Sequence, residues 1–161
     1  MTATLQSIAL RPAVLADEEF LFELFTINRS DELKSLDWGP ERIEEFLTQQ
    51  YAAQRRFLQA DYPQANQLMI LRGSDRLGAI VVERSEQEIR LVDLVLLPEY
   101  RNAGVGTLLI KELLAETAGV GVIFRVQIMR TNPAVALFER LGLVKTGETG
   151  SHYQMEWRGA Q

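Results

Sequence analysis

The stretch LVDLVLLPEYRNAGVGTLLIKELL, residues 91–114, constrains this chain more than any other. An apolar run ends at Pro98, and a turn with Arg101, Gly104 and Gly106 follows. Val105, Leu108, Leu109 and Leu113 then recur at helical spacing. Strand must become helix within a few residues, through backbone that carries little side-chain cover. A helix N-terminus offers unpaired amide N–H groups and partial positive charge, which suits phosphate oxygens. Gly104 and Gly106 would let backbone approach a ligand without Cβ interference, and Arg101 would add a charge-assisted bond. Alone, the pattern is weak, because a plain glycine-rich connection reads the same way.

Two better-defined phosphate loops do not fit. A P-loop has a lysine before its Ser or Thr, whereas Thr107 follows Gly106 directly. A dinucleotide fingerprint has a third small residue where Leu109 stands, and no βαβ start precedes it.

The remaining segments suggest an α/β sandwich. Residues 5–11 read as a first strand, and Asp17 as the cap of a helix with Phe20, Leu21, Leu24 and Phe25 on its apolar face. The polar segment NRSDELKSLDWG reads as a loop leading to Pro40. Pro40 opens a second helix that Asp61-Tyr62-Pro63 stops. Three strands follow (QLMILR, LGAIVVE, EIRLVDLVLL), then the glycine turn with its helix, then the strand VIFRVQIM. A short helix from Pro133 to Gly142 and two strands, around LVKTGE and HYQMEW, complete the order β-α-α-β-β-β-α-β-α-β-β.

Length and composition bound the function. The 161 residues suit one domain, 1–161, with a real core. Without cysteine, and with one histidine, disulfide frameworks, thiol nucleophiles and multi-histidine zinc sites are excluded. No apolar window is long enough for a membrane helix, and no signal-peptide pattern opens the chain, so a cytoplasmic protein is expected. A net charge of −5 argues against nucleic acid and leans toward a cationic partner.

Taken together, LVDLVLLPEYRNAGVGTLLIKELL and TNPAVALFERLGLVKTGE resemble the GNAT superfamily of acyl-CoA N-acyltransferases. The first carries an apolar strand, the step Leu96-Leu97-Pro98 and R-x-x-G-x-G. The second carries Asn132, Val135-Ala136, Leu137, Phe138, Gly142 and Leu143 in the family's order. The N-terminal LRPA-x-x-A-D and the helix pair also look like this family, so the likeness spans nearly the whole chain.

The resemblance implies a GNAT-like mixed, mostly antiparallel sheet of about seven strands flanked by about four helices. It implies acetyl-CoA as co-substrate, no metal, and an amine acceptor belonging to a small molecule or a protein. The pyrophosphate would lie on Arg101, Asn102, Ala103, Gly104, Val105, Gly106 and Thr107. Backbone at Leu96 and Leu97 would bond the pantetheine. Asn132, Ala136, Phe138 and Arg140 would border the thiol end. A homodimer is left open.

The catalytic pattern departs from the family. Many relatives have a tyrosine acid where Phe138 stands, and some have a glutamate base where Gln127 stands. Phenylalanine cannot donate a proton, and an amide orients rather than accepts. Asp93 is the remaining candidate, as a base or a water-positioning group. Strand alternation groups it with Leu91, Val95 and Leu97, where a structural hydrogen bond is an equal reading. His152 reads as a solvated residue and Tyr153 as core. Arg29, Asp31, Glu32 and Trp38 fall in the loop that the resemblance sets beside the acceptor. An acyl-CoA-binding sensor with the same fold and little or no turnover is the alternative to an N-acetyltransferase.

Overall fold

In the computed structural model, which describes residues 7–159, seven strands form one sheet in the order β1-β2-β3-β4-β5-β7-β6. They are β1 Ile8–Pro12, β2 Asn66–Arg72, β3 Asp75–Arg84, β4 Glu88–Leu96, β5 Ile123–Met129, β6 Val144–Glu148 and β7 His152–Trp157. Only β4 and β5 pair in parallel; every other neighbouring pair is antiparallel. The helices are α1 Glu18–Lys34, α2 Pro40–Asp61, α3 Val105–Val120 and α4 Ala134–Arg140. The order of elements is the one read from the sequence. Of the first strand's expected span, residues 5 and 6 lie outside the described residues.

One core lies between the sheet and the helices α3 and α4. Val105, Leu109, Ile110, Leu113 and Leu114 descend one face of α3 onto Ile80, Val82, Ile89, Leu91, Phe124 and Val126. Phe138 from α4 joins them at 3% exposure. On the opposite face of the sheet, Leu21 and Leu24 of α1 pack on Met69 and Ala79. Phe25, Leu33 and Leu47 bind α1 to α2. Among the described residues no helix is long and apolar enough to cross a membrane, and no cluster of acidic or histidine residues could hold a metal.

Two local readings need correction. The segment NRSDELK is helical, not a loop, so Arg29, Asp31 and Glu32 belong to α1. Thr26, Asn28 and Ser30 return their side chains to the carbonyls of Phe22, Leu24 and Ile27, which satisfies them inside the helix. Leu33 then adds an apolar anchor at 6% exposure.

The second correction concerns Asp17, which makes no side-chain cap on α1. Its carboxylate instead accepts two bonds from Arg11 (2.7 and 2.9 Å) and one from the Val14 amide (2.8 Å), with Arg76 at 3.2 Å. Fully covered, it ties β1 and β3 to the start of α1.

The bonds from Arg11 and Val14 hold the Asp17 carboxyl well below the usual carboxylate range. Its contribution to stability is therefore complete above the unfolded value near pH ~3.9 and is lost as pH falls toward the depressed folded value. Asp17→Asn should lower the melting temperature by several degrees at neutral pH, with a gap to wild type that narrows in acid. Thermal unfolding followed by circular dichroism across that range checks it.

Candidate active site

β4 and β5 pair only from Glu88–Leu91 to Ile123–Val126, and beyond that the two strands part. The opening is a cleft of about 380 Å³. Leu94 and Leu96 form one wall, Val126 and Ile128 the other, and Ile110, Leu137 and Phe138 close it from the helix side. Phe138 thus belongs at once to the core and to the cleft.

A bulge sets the register of the inner wall. Val81 pairs with Asp93 and Val82 with Leu91, so Val92 has no partner across β3. This extra residue breaks the expected alternation. Ile89, Leu91, Leu94 and Leu96 face α3, while Asp93, Val95 and Leu97 face α1 and α2. Asp93 therefore does not share a face with Leu91. At Gly78, opposite Leu96, an added Cβ would overlap the Val95 carbonyl oxygen, so only glycine lets β3 come this close to the divergent end of β4.

Two backbone groups of β4 are released by the parting. The Leu94 amide donates to the Asp93 side chain (3.1 Å), and the Leu96 carbonyl accepts from Arg101 Nε (3.2 Å). By contrast, the Leu97 amide is committed to Leu77 within the sheet (2.9 Å).

At the cleft mouth the glycine turn delivers the start of α3. Asn102 and Gly104 have φ of 60° and 87°, and asparagine and glycine are the residues that tolerate this left-handed region. The first bond of the helix runs from the Leu108 amide to the Gly104 carbonyl (2.9 Å), so the amides of Val105, Gly106 and Thr107 precede the ladder. Gly106 lines the cleft, yet the fold does not demand glycine there. A Cβ would meet only Leu94 Cδ2 at 3.8 Å, an ordinary contact. Helical glycine costs about 0.5–1 kcal/mol relative to alanine, so its presence fits a need for close approach rather than for folding. Arg101 lies back across the opening, with one guanidinium nitrogen 2.5 Å from Asn28 Oδ1 on α1.

Asp93 keeps partial solvent contact through the cleft but is otherwise enclosed by protein. Burial pushes its carboxyl above the usual range, against the smaller opposing effects of the Leu94 amide and the positive field of Arg29. Gln127 borders the same cleft from β5, its side chain exposed and without a hydrogen bond to the described residues. Asn132 also lines it and accepts a bond from the Ala134 amide (2.9 Å) at the start of α4.

The cleft thus gathers Asp93, Leu96, Arg101, Gly106, Gln127, Asn132 and Phe138. Asn102, Ala103, Gly104, Val105 and Thr107 form the adjoining turn. Ala136 and Arg140 are exposed away from the cleft wall, and Leu97 packs on the α1 side. His152 bonds Ser151 (2.7 Å), and Tyr153 lies beneath Lys145 and Arg130, both clear of the cleft. Sequence reasoning missed Asn28, Val92 and Ile110. Only the polar Asn28-Arg29 step within an otherwise apolar helix face was a signal for the first.

A family model described as an acetyltransferase (GNAT) domain matches residues 34–157. Comparison with curated proteins by sequence gives no match. Among solved structures, the chain is similar to PaiA N-acetyltransferase from Thermoplasma acidophilum in complex with coenzyme A. That likeness has 22% identity, a TM-score of 0.68, and covers 95% of this chain and 99% of that one. An acetyltransferase from Thermus thermophilus gives 16% identity and a TM-score of 0.66, covering 94% and 96%. The ribosomal-protein-S18-alanine N-acetyltransferase from Escherichia coli gives 15% and 0.60, covering 92% of each chain. At such identities the structures speak for the fold alone. The family model takes in β2 to β7, the glycine turn and α4, and by that match the chain belongs to the GNAT acetyltransferase family.

Proposed function

We propose that residues 1–161 act as one cytoplasmic domain that moves an acetyl group from acetyl-CoA to a primary amine of a small molecule or protein. The observation that carries this reading is the cleft between β4 and β5, which begins at the free amides of α3 and reaches Asp93. The pyrophosphate lies against the amides of Val105, Gly106 and Thr107, with Arg101 turning from Asn28 to meet it. The pantetheine adds beside β4 like a further strand, using the Leu94 amide and the Leu96 carbonyl. Apolar walls from Leu94, Ile110 and Phe138 shield the thioester from water.

The chemistry has one demanding step. An alkyl ammonium with pKa ~10.4 is neutral in only about one molecule in a thousand near pH 7.4, so it must lose a proton before attack. Asp93 takes that proton, directly or through water, and its raised pKa makes it a better acceptor than an ordinary carboxylate. The amine nitrogen then bonds the thioester carbon, the C–S bond breaks so that CoA leaves as thiolate, and the nitrogen releases its surplus proton to solvent. With a thiol pKa of about 8.5, the thiolate departs without an acid, which accommodates Phe138. Gln127 orients the acceptor or a water.

Phe138 and Gln127 also favour a second reading, an acyl-CoA sensor, since neither supplies an acid or base. Incubation with acetyl-CoA and a panel of amines, with free thiol followed, separates the two. Thiol release that depends on acceptor is expected; tight acetyl-CoA binding with no release from any acceptor would support the sensor.

Arg101→Ala should weaken CoA binding about tenfold to a hundredfold, the worth of one charge-assisted bond. Gly106→Ala should also weaken CoA while leaving the melting temperature equal or higher. Gly104→Ala, forced into left-handed backbone, should cost about 1–2 kcal/mol of stability. Calorimetry and thermal unfolding read both effects, and unchanged CoA affinity in the Arg101 and Gly106 variants would remove the pyrophosphate assignment.

Asp93→Asn should lower kcat by about 10²–10⁴ with little change in CoA affinity. Because the folded Asp93 pKa is raised, wild-type turnover should fall on acidification at higher pH than an ordinary carboxylate would give. The variant should lack that acidic limb, which a kcat–pH profile checks.

A further inference from the structure

The cleft does not end at Asp93. A second cavity of about 170 Å³ lies beneath α1 and α2 on the other face of the sheet, and Asn28, Asp93 and Val95 line both spaces. Leu24, Phe25, Ala79 and Val81 give it apolar walls, and Gln54, Arg55 and Gln67 give it polar ones.

Its charges are unevenly committed. Arg55 is held by Glu18 (2.9 Å) and Gln67 (2.8 Å), and Glu18 also accepts from the Tyr51 hydroxyl (3.1 Å). The Arg29 guanidinium makes no ion pair or hydrogen bond with the described residues. Its central carbon lies 3.9 Å from the centre of the Phe25 ring, and it acts on Asp93 through its field alone. The cavity therefore holds one uncommitted cation and one carboxylate with a single hydrogen bond, between an apolar wall and a polar one. A polycation would find one carboxylate and an opposing arginine. A molecule with an amine and an anion would find a partner for each.

We infer that the acceptor is a small primary amine that also carries a carboxylate, a free amino acid with an apolar side chain. Its nitrogen faces Asp93 at the junction with the thioester cleft, its carboxylate pairs with Arg29, and its side chain lies against Leu24, Phe25 and Val81. This inference rests on the acetyl-transfer reading. The local charges outweigh the net charge of −5, which alone leans toward a cationic acceptor.

The test compares leucine, methionine and phenylalanine with their amides and their decarboxylated amines, with spermidine as a polycation. Acetylation is followed in wild type, Arg29→Gln and Arg29→Lys. Wild type should favour the free amino acids over their amides by about tenfold or more in kcat/KM. Arg29→Gln should erase that preference by raising KM for the amino acids, with the melting temperature and acetyl-CoA affinity retained. Arg29→Lys, charged but without the planar fork, should fall between. Amides or spermidine outrunning amino acids in wild type, or a folded Arg29→Gln that keeps the preference, would overturn the inference alone. Acetyl-CoA binding with no turnover of any acceptor would instead overturn acetyl transfer, and this inference with it.

Discussion

Backbone groups that leave a ladder must find partners elsewhere, and β4 leaves β5 after Leu91. The rest of the site depends on that parting. Parallel neighbours cannot be joined by a tight turn, so α3 must cross from the end of β4 to the start of β5. The crossover sets the start of α3 at the carboxyl end of β4, where the strands separate. Free amides of a helix and free edge groups of a strand thus meet at one opening. Val92 bulges to turn Asp93 away from α3, and Gly78 lets β3 follow the end of β4. Leu137 and Phe138 then fill the gap from the far side, leaving a lined cleft rather than a collapsed core.

Two carboxylates show how environment drives the same group in opposite directions. Asp17 is fully covered and saturated by Arg11, Arg76 and the Val14 amide, and its pKa is driven down. Asp93 has one backbone bond and the field of an arginine that does not bond it, and burial drives its pKa up. A saturated carboxylate is a clamp. A carboxylate left short of partners at the meeting of two cavities is suited to exchange a proton.

Much of this was legible in the sequence, for identifiable reasons. The helical spacing behind Gly104, the apolar runs after Pro63 and the proline and glycine stops are local signals, and they located every element in order. The turn and the cleft wall were legible because their residue types follow a family motif. The helical state of NRSDELK was not, since it depends on side chains returning to their own carbonyls and on Leu33 meeting Leu47 across α2. Nor was the bulge at Val92, because register across β3 is a property of two strands and alternation along β4 alone hides it. The partnership of Asn28 with Arg101 spans 73 residues and left no local trace.

Amide chemical shifts followed on titration with CoA show whether the opening between β4 and β5 receives acyl-CoA. The largest changes should fall at Val105, Gly106 and Thr107, with Leu94 and Leu96 next and Asn28 moving as Arg101 leaves it. Changes concentrated instead around the separate cavity beside Tyr62 and Pro63, with the start of α3 undisturbed, would contradict it.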